Sequence, residues 1–303
     1  MNKSIIFFGE CMIEMRQTAD GSLAQSFAGD VYNAAVYLKR TCPSINTALL
    51  TCVGQDKMSE AMVNAFAAEN ISTDLVLKDT VKIPGLYWVH TDATGERSFT
   101  YWRSDSAAKR TVAHVTHADE EQLAKADMFF FSGISLAITE PSLRDAFWQM
   151  VKNIKAAGVK IVFDPNYRPQ IWSSVEDTIS EYKKAFAYAD IALPGIEDME
   201  MLYGIDNAGD AVAFFDQFDI EELIIKDGAN SVQVIYSGKT YLIPITPVKH
   251  VVDTTSAGDS FNGAYLGARM NGQPIEESVR AGATMASIVI QHPGAIIPLS
   301  AHN

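Results

Sequence analysis

The sequence predicts an α/β fold built on a mostly parallel sheet covered on both faces. Three observations predict it. Short apolar runs recur at residues 5–8, 48–53, 128–131, 161–163, 191–193 and 223–225. Longer segments of helical pattern separate them, at 31–40, 59–69, 142–157, 175–188, 210–218, 259–270 and 275–291. The short runs are near-continuously apolar, as expected of strands that crossover helices bury on both sides. Such sheets bind ligands beyond the carboxyl ends of their strands.

In chain order, Ile5-Ile6-Phe7-Phe8 is the first strand; it is too short for a secretory core, and Glu10 and Glu14 soon follow. The helix at 31–40 starts behind Gly29 and Asp30, and the strand at 48–53 and the helix at 59–69 complete the first repeat. Residues 85–90 and 98–103 then break the rhythm, because they alternate and carry many aromatics. Thr91-Asp92-Ala93-Thr94-Gly95-Glu96 between them reads as a hairpin turn. Two strands alone are marginal in water, so this pair needs partners. The strand at 161–163 runs into the loop Asp164-Pro165-Asn166-Tyr167-Arg168-Pro169, and the strand at 223–225 into Lys226-Asp227-Gly228-Ala229-Asn230-Ser231. The helix at 259–270 holds two glycines, Gly263 and Gly267. Gly costs about 1 kcal/mol against Ala in a helix, so their presence implies close packing or a neighbour that needs room. No linker, repeat or low-complexity stretch interrupts the chain.

Composition narrows the function. The chain has 303 residues, 24 Lys plus Arg against 37 Asp plus Glu, and a formal charge of -13. That acidity argues against a general binder of nucleic acid or anionic membrane, though not against a local basic pocket. No segment approaches the roughly 20 apolar residues of a membrane span. Cys11, Cys42 and Cys52 are odd in number and lack paired spacing, so a disulfide framework is not expected and a reducing cytoplasm fits. The six histidines are scattered, which leaves a protein zinc site unsupported. Gly238-Lys239-Thr240 imitates the end of a P-loop, but the earlier glycine is Gln233 and the segment reads as a hairpin.

The chemistry concentrates in Asp253-Thr254-Thr255-Ser256-Ala257-Gly258-Asp259. Bare N–H groups at a helix start favour an anion, and a carboxylate beside an anion hole suits phosphoryl transfer to a hydroxyl. Asp, Ser and Thr also crowd helix starts simply as caps. What lifts this stretch is the combination of two Asp, three hydroxyl residues and a Gly in seven positions.

The stretch resembles the second signature of the ribokinase-like, phosphofructokinase-B type sugar kinases, Asp-Thr-x-Gly-Ala-Gly-Asp, with Ser256 in place of the first Gly. Ala28-Gly29-Asp30-Val31-Tyr32-Asn33-Ala34-Ala35 is similar to that family's Gly-Gly-x-x-x-Asn-x-Ala signature, with Ala28 for the first Gly. The two matches lie more than 200 residues apart in the family's order, and the resemblance covers essentially the whole chain. It implies a ribokinase-like three-layer sandwich, as a single domain over 1–303 with a discontinuous β lid from about 12–25 and 85–103. The lid would cover the sugar and pair with its counterpart in a homo-oligomer. The implied cofactors are ATP and Mg2+, with a monovalent cation such as K+ near Asp253 and the Gly294 loop by family analogy.

The resemblance also assigns roles. Asp259 would be the base, with Ser256, Ala257 and Gly258 offering backbone N–H groups to the transferring phosphoryl. The helix start would keep Asp259 ionised. Gly29 would let the sugar approach the backbone, and Asp30 and Asn33 would hold its hydroxyls; Asp30 could equally cap the helix. Tyr87, Tyr101, Arg103, Ile134 and Arg168 complete the substrate set, with Tyr101 and Arg103 two apart on one strand face. Two arginines suit a sugar acid, because a guanidinium reads a carboxylate with paired donors. Each Arg taken alone could instead be a surface residue or the partner of an acid such as Asp164. Together with Pro84-Gly85-Leu86-Tyr87, Gly95-Glu96-Arg97, Ser132-Gly133-Ile134-Ser135-Leu136-Ala137 and Gly294-Ala295-Ile296-Ile297-Pro298, they resemble the family's kinases of a 2-keto-3-deoxy sugar acid. Asn166, Lys226, Gly228, Ala229, Ser231 and Gly258 would face ATP, although Asp-Gly at 227–228 is also an ordinary turn sequence. The family's Asn-x-x-Glu is here Gly195 to Asp198, which leaves Asp198 to order magnesium through water. A kinase of fructose, ribose or a related keto-acid stays open, as does a non-catalytic sugar-acid sensor.

Overall fold

A computed structural model describes residues 3–18, 20–91 and 97–302, so the turn expected at 92–96 lies outside the described residues. The strands are β1 (Ser4–Phe8), β2 (Met12–Gln17), β3 (Leu23–Ala28), β4 (Asn46–Val53), β5 (Val76–Lys78), β6 (Leu86–Thr91), β7 (Arg97–Trp102), β8 (Met128–Ser132), β9 (Lys160–Asp164), β10 (Ile191–Ala192), β11 (Glu222–Asp227), β12 (Ser231–Tyr236) and β13 (Lys239–Pro244). The α-helices are α1 (Asp30–Thr41), α2 (Lys57–Ala68), α3 (Thr111–His114), α4 (His117–Leu123), α5 (Gly133–Ile138), α6 (Arg144–Ala156), α7 (Val175–Tyr188), α8 (Ile196–Tyr203), α9 (Ala208–Phe215), α10 (Ala257–Met270) and α11 (Ile275–Val289).

The large sheet has the order β13-β12-β11-β10-β9-β8-β1-β4-β5. Every neighbouring pair from β11 to β5 is parallel, and the β12–β13 hairpin adds an antiparallel edge. Its strands bury alternate residues on opposite faces. Ile6, Phe8, Phe129, Phe131 and Phe163 pack with Phe147, Tyr182 and Phe186 of α6 and α7. Ile5, Phe7, Phe130, Val162 and Ile224 pack with Val31, Phe261 and Val279 of α1, α10 and α11. Two apolar faces per strand explain the continuous runs in the sequence and give the three-layer α/β sandwich.

The glycines of α10 prove to be packing glycines. A Cβ on Gly263 would lie 2.3 Å from the Ala34 carbonyl oxygen, and one on Gly267 2.8 Å from the Cys42 sulfur. The backbone of α10 therefore lies against α1, and this contact offsets the poor helix propensity. That packing also fixes the two helix N-termini side by side.

Because the central strands are parallel, β1, β8, β9 and β11 all end at one edge. A second sheet of order β3-β2-β6-β7 is connected there, with β2 starting just after β1 ends. Its β2–β6 pair is parallel and both outer pairs are antiparallel. Residues 85–90 and 98–103 thus find the partners that a lone hairpin would lack. Cys11, Cys42 and Cys52 are buried free thiols. No helix among the described residues is long and apolar enough to cross a membrane.

Candidate active site

A cavity of about 800 Å³ opens between the carboxyl edge of the large sheet and the small sheet. Its lining includes Gly29, Asp30, Asn33, Tyr87, Tyr101, Arg103, Ile134 and Arg168. These eight residues come from five separate chain segments, and the fold brings them all to one space.

The small sheet sets the aromatic wall. Tyr87 on β6 stands opposite Tyr101 on β7, with ring centroids 5.7 Å apart. Arg103 lies just past the end of β7, its guanidinium 6.0 Å from the Tyr101 ring. Its Nη2 is hydrogen-bonded to a carboxylate oxygen of Glu10. Tyr87 donates its hydroxyl hydrogen to Glu14, which sits opposite it on β2 and also accepts from Ser26 at 2.8 Å. The two arginines differ: the Arg103 side chain is 12% exposed, that of Arg168 51%. Arg168 donates to the Tyr167 carbonyl at 2.8 Å and stands 3.7 Å from Asp198, rather than pairing with Asp164.

The N-terminus of α1 lines the cavity, and that of α10 is joined to it through Asn33. Gly29, not Asp30, is the N-cap of α1, and Asp30 occupies the first helical position. Gly29 is required by packing: a Cβ there would fall 2.2 Å from the Glu10 carbonyl oxygen. Asn33 joins the two termini. Its Oδ1 accepts from the Gly29 N–H at 3.3 Å, and its Nδ2 donates to Asp259 at 2.9 Å. Asp30 in turn accepts from Asn166 Nδ2 at 3.1 Å.

Asp259, in the first turn of α10, is pushed up from 3.8 to about 7. Burial is the main cause and the Asp30 charge the second; Asn33 and Arg168 pull the other way. Asp30 is raised too, chiefly by burial. The expectation that the helix start keeps Asp259 ionised is therefore corrected to a carboxyl that titrates near neutrality. Desolvation beside other carboxylates outweighs a dipole effect worth about 0.3–1 kcal/mol. A carboxylate titrating near neutrality is well matched to proton abstraction, which is most efficient when the base pKa lies near the working pH.

The loop before α10 is shaped by Ser256, whose φ is 65°. A left-handed conformation costs a non-glycine residue about 1–2 kcal/mol, the consequence of Ser where a Gly would be free. Its hydroxyl is buried without a hydrogen-bond partner among the described residues. The Ala257 N–H turns to the Thr254 carbonyl at 3.2 Å, and Gly258 is exposed with only Lys226 Nζ within 4.0 Å of an added Cβ. The first-turn N–H groups of α10 past Ala257 have no intrahelical acceptor. Asp253 ties this loop to the next, accepting from the Thr255 and Gly294 N–H groups at 3.0 and 2.6 Å.

The residues expected on the nucleotide side sit at the same edge but outside this cavity, apart from their links to it. Lys226 ends in a polar knot, donating to Asp164 at 3.3 Å and to Asn262 at 3.1 Å; Asn262 donates to Asp164 at 2.8 Å. Gly228 has φ 49° and turns the chain with Ala229 from β11 into β12, which Ser231 begins. Asn166 also has a positive φ, 36°. Asp198 accepts from the Tyr167 N–H at 2.9 Å and is raised to about 6, first by burial and then by Asp164. No cluster of three or more His, Cys, Asp or Glu side chains among the described residues could hold a metal by itself. The oxygen donors of Asp164 and Asp198 nevertheless suit a hydrated hard cation, which would relieve their mutual repulsion.

Sequence reasoning missed Glu10, Glu14, Asp164 and Asn262 as members of the site. Glu10 and Glu14 did carry a signal, being carboxylates in a segment otherwise apolar enough to be buried.

Comparison with known proteins gives the following. The family model described as pfkB family carbohydrate kinase matches residues 2–302. The 2-dehydro-3-deoxygluconokinase of Escherichia coli (strain K12) is 37% identical, over 99% of this chain and 99% of that protein. The enzyme of the same name from Dickeya dadantii (strain 3937) is 39% identical, over 99% and 98%. Among solved structures, the Thermotoga maritima 2-dehydro-3-deoxygluconokinase superposes with a TM-score of 0.85 at 20% identity, over 98% of this chain and 95% of that one. A Xylella fastidiosa fructokinase with bound ATP gives 0.84 at 24% identity, over 99% and 95%.

Proposed function

The chain belongs to the pfkB family of carbohydrate kinases, and we propose that it transfers the γ-phosphoryl group of ATP to the 6-hydroxyl of 2-dehydro-3-deoxy-D-gluconate. The observation that carries this reading is the meeting of two guanidinium groups, Arg103 and Arg168, with Asp30 around one cavity, to which Asp259 is joined through the lining residue Asn33. A neutral sugar has no use for two guanidinium groups, whereas a carboxylate accepts their paired donors. The names of full-length relatives support the same substrate.

In this reading Arg103 and Arg168 hold the acid end, with Tyr101 and Tyr87 beside it and Ile134 as an apolar wall. Gly29, Asp30 and Asn33 meet the hydroxyls. The 6-hydroxyl oxygen then attacks the γ-phosphorus, the bond to the β–γ bridging oxygen breaks, and the hydroxyl proton passes to Asp259. Backbone N–H groups of Gly258 and its neighbours in the Ser256–Ala257 turn stabilise the charge on the transferring oxygens. Gly228, Ala229, Ser231 and Asn166 face the nucleotide, and Lys226 supports them through Asp164 and Asn262. Asp198 is the residue that would hold a hydrated magnesium ion, which would supply positive charge to offset that of the phosphates. K+ would sit by the Asp253 and Gly294 loops.

The chain would act as one domain, with the small sheet as a lid that excludes water from the reaction. Exposed Leu23 and Trp102 on that sheet support pairing of two lids in a homo-oligomer. A cytoplasmic setting fits the buried free thiols.

The test is ADP release with magnesium-ATP on 2-dehydro-3-deoxygluconate, its C4 epimer, gluconate, fructose and ribose. Strong preference for the first is expected. Turnover confined to fructose or ribose would overturn the substrate; binding of the acid without any turnover would make the chain a sensor.

A further inference from the structure

Arg103 would be an awkward group to keep inside a cavity that waits for its ligand. A buried guanidinium without a counter-charge is costly and tends to swing toward water. The Arg103 side chain is almost entirely covered, yet its Nε–H has no acceptor among the described residues. What holds it is Glu10, whose side chain is 1% exposed and whose second oxygen, Oε1, has no donor among the described residues. Glu10 follows β1 of the large sheet, while Arg103 follows β7 of the small one. The pair is thus a tie between the two sheets across the cavity rim.

A glycine makes room for the tie. A Cβ on Gly85 would lie 2.7 Å from Glu10 Oε1 and 3.0 Å from the Arg103 Cβ. No positive φ explains that glycine, since Gly85 is not among the residues with such a conformation. Its missing side chain is explained by the room that Glu10 and Arg103 occupy. The same backbone, through the Gly85 carbonyl, accepts from the Ile13 N–H at 2.8 Å and fixes the approach of β2.

We propose that Glu10, seated against Gly85, is the positioning residue for Arg103 and thereby sets the selectivity of the site for an acid. This rests on the sugar-acid reading above. An arginine carries five N–H donors, so holding one on Glu10 leaves others for a substrate carboxylate. Glu10 fixes where those donors lie before substrate arrives. Without it Arg103 keeps its charge but loses its place.

The experiment compares wild type with Glu10→Gln and Gly85→Ala, using coupled ADP release at saturating magnesium-ATP with 2-dehydro-3-deoxygluconate and fructose. Circular dichroism and thermal unfolding confirm that each variant is folded. Both variants are expected to raise KM for the acid by about tenfold or more, from the weakening of a charge-assisted contact. The kcat should change far less, because Asp259 and the α10 turn are untouched, and any activity on fructose should keep its KM. A folded Glu10→Gln protein with unchanged KM for the acid would overturn the proposal. A general fall in kcat on both sugars would do so too, by making Glu10 merely structural. If the variants do not fold, a crystal structure of the wild type with the acid bound decides: Arg103 still on Glu10 is expected, and Arg103 detached from it refutes the role. Failure of the parent reading looks different, as wild type itself would then show no preference for the acid.

Discussion

The proposed sugar side and the proposed nucleotide side of this edge are built differently. On the proposed sugar side, eight expected residues from five separate segments converge on one cavity. Each key group there is backed by another buried group, as Glu10 backs Arg103, Glu14 backs Tyr87 and Asn33 backs Asp259. On the nucleotide side, Gly228 and Ala229 form an exposed turn, and Lys226 is committed to Asp164 and Asn262. The difference teaches that residue identity alone does not separate a ligand-facing group from a scaffold group. Lys226 and Arg103 are both cations paired with buried acids, but only Arg103 lines the cavity.

The contrast breaks most sharply at Asp259. Asp259→Asn is expected to lower kcat by roughly 10²–10⁴-fold, the usual loss for a general base, with little change in KM for the acid. Its stability should hold or rise, because one of two mutually repelling half-buried carboxylates is neutralised. Steady-state kinetics with a melting curve checks both, and near-native turnover would remove Asp259 from the chemistry.

Next come the two arginines. Arg103→Ala leaves Glu10 buried and unpaired, so a stability loss of about 3–5 kcal/mol is expected with a large rise in KM. Arg168→Ala, at a half-exposed site, should cost under about 1 kcal/mol while still raising KM. Equal losses by denaturant unfolding would erase the distinction between a built-in and an adaptable cation.

The pH dependence follows. With Asp259 at about 7, kcat/KM should climb about tenfold per pH unit on the acid side and level off above neutrality. Stability runs the other way. The folded protein holds this proton more tightly than the unfolded chain, so stability falls as pH rises between about 4 and 7. Asp259→Asn should remove this group's share of that slope, and a titration of unfolding free energy against pH would reveal it.

The smallest effect on turnover and substrate binding is expected at Lys226. Lys226→Met should cost roughly 1–3 kcal/mol, since it strips a charge-assisted partner from buried Asp164. The KM for ATP should move only a little. A large rise in that KM with unchanged stability would make the nucleotide side as preformed as the sugar side.

Much of this was legible along the chain. The apolar runs gave the central strands, and the helix at 175–188 matches α7 to the residue. Boundaries slipped where caps decided them: Asp56 starts α2 two residues earlier than expected, and Asn207 starts α9. The short helices α3, α4, α5 and α8 escaped notice, since one or two turns leave little periodicity to read. The Asp259 carboxylate was visible as a type and position, but its ordinary or raised affinity for a proton was not.

The sequence by itself determined the sheet, its covering helices, the two glycine-bearing signatures and the candidate charges. Those depend on local pattern, and local pattern is written in neighbouring residues. Only the tertiary structure decided that Glu10 holds Arg103, that Glu14 holds Tyr87, and that Asn33 reaches Asp259. The partners in these contacts lie between 73 and 226 residues apart. Their strength comes from burial, which raises the cost of leaving a charge unpaired, and burial exists only once the layers have packed.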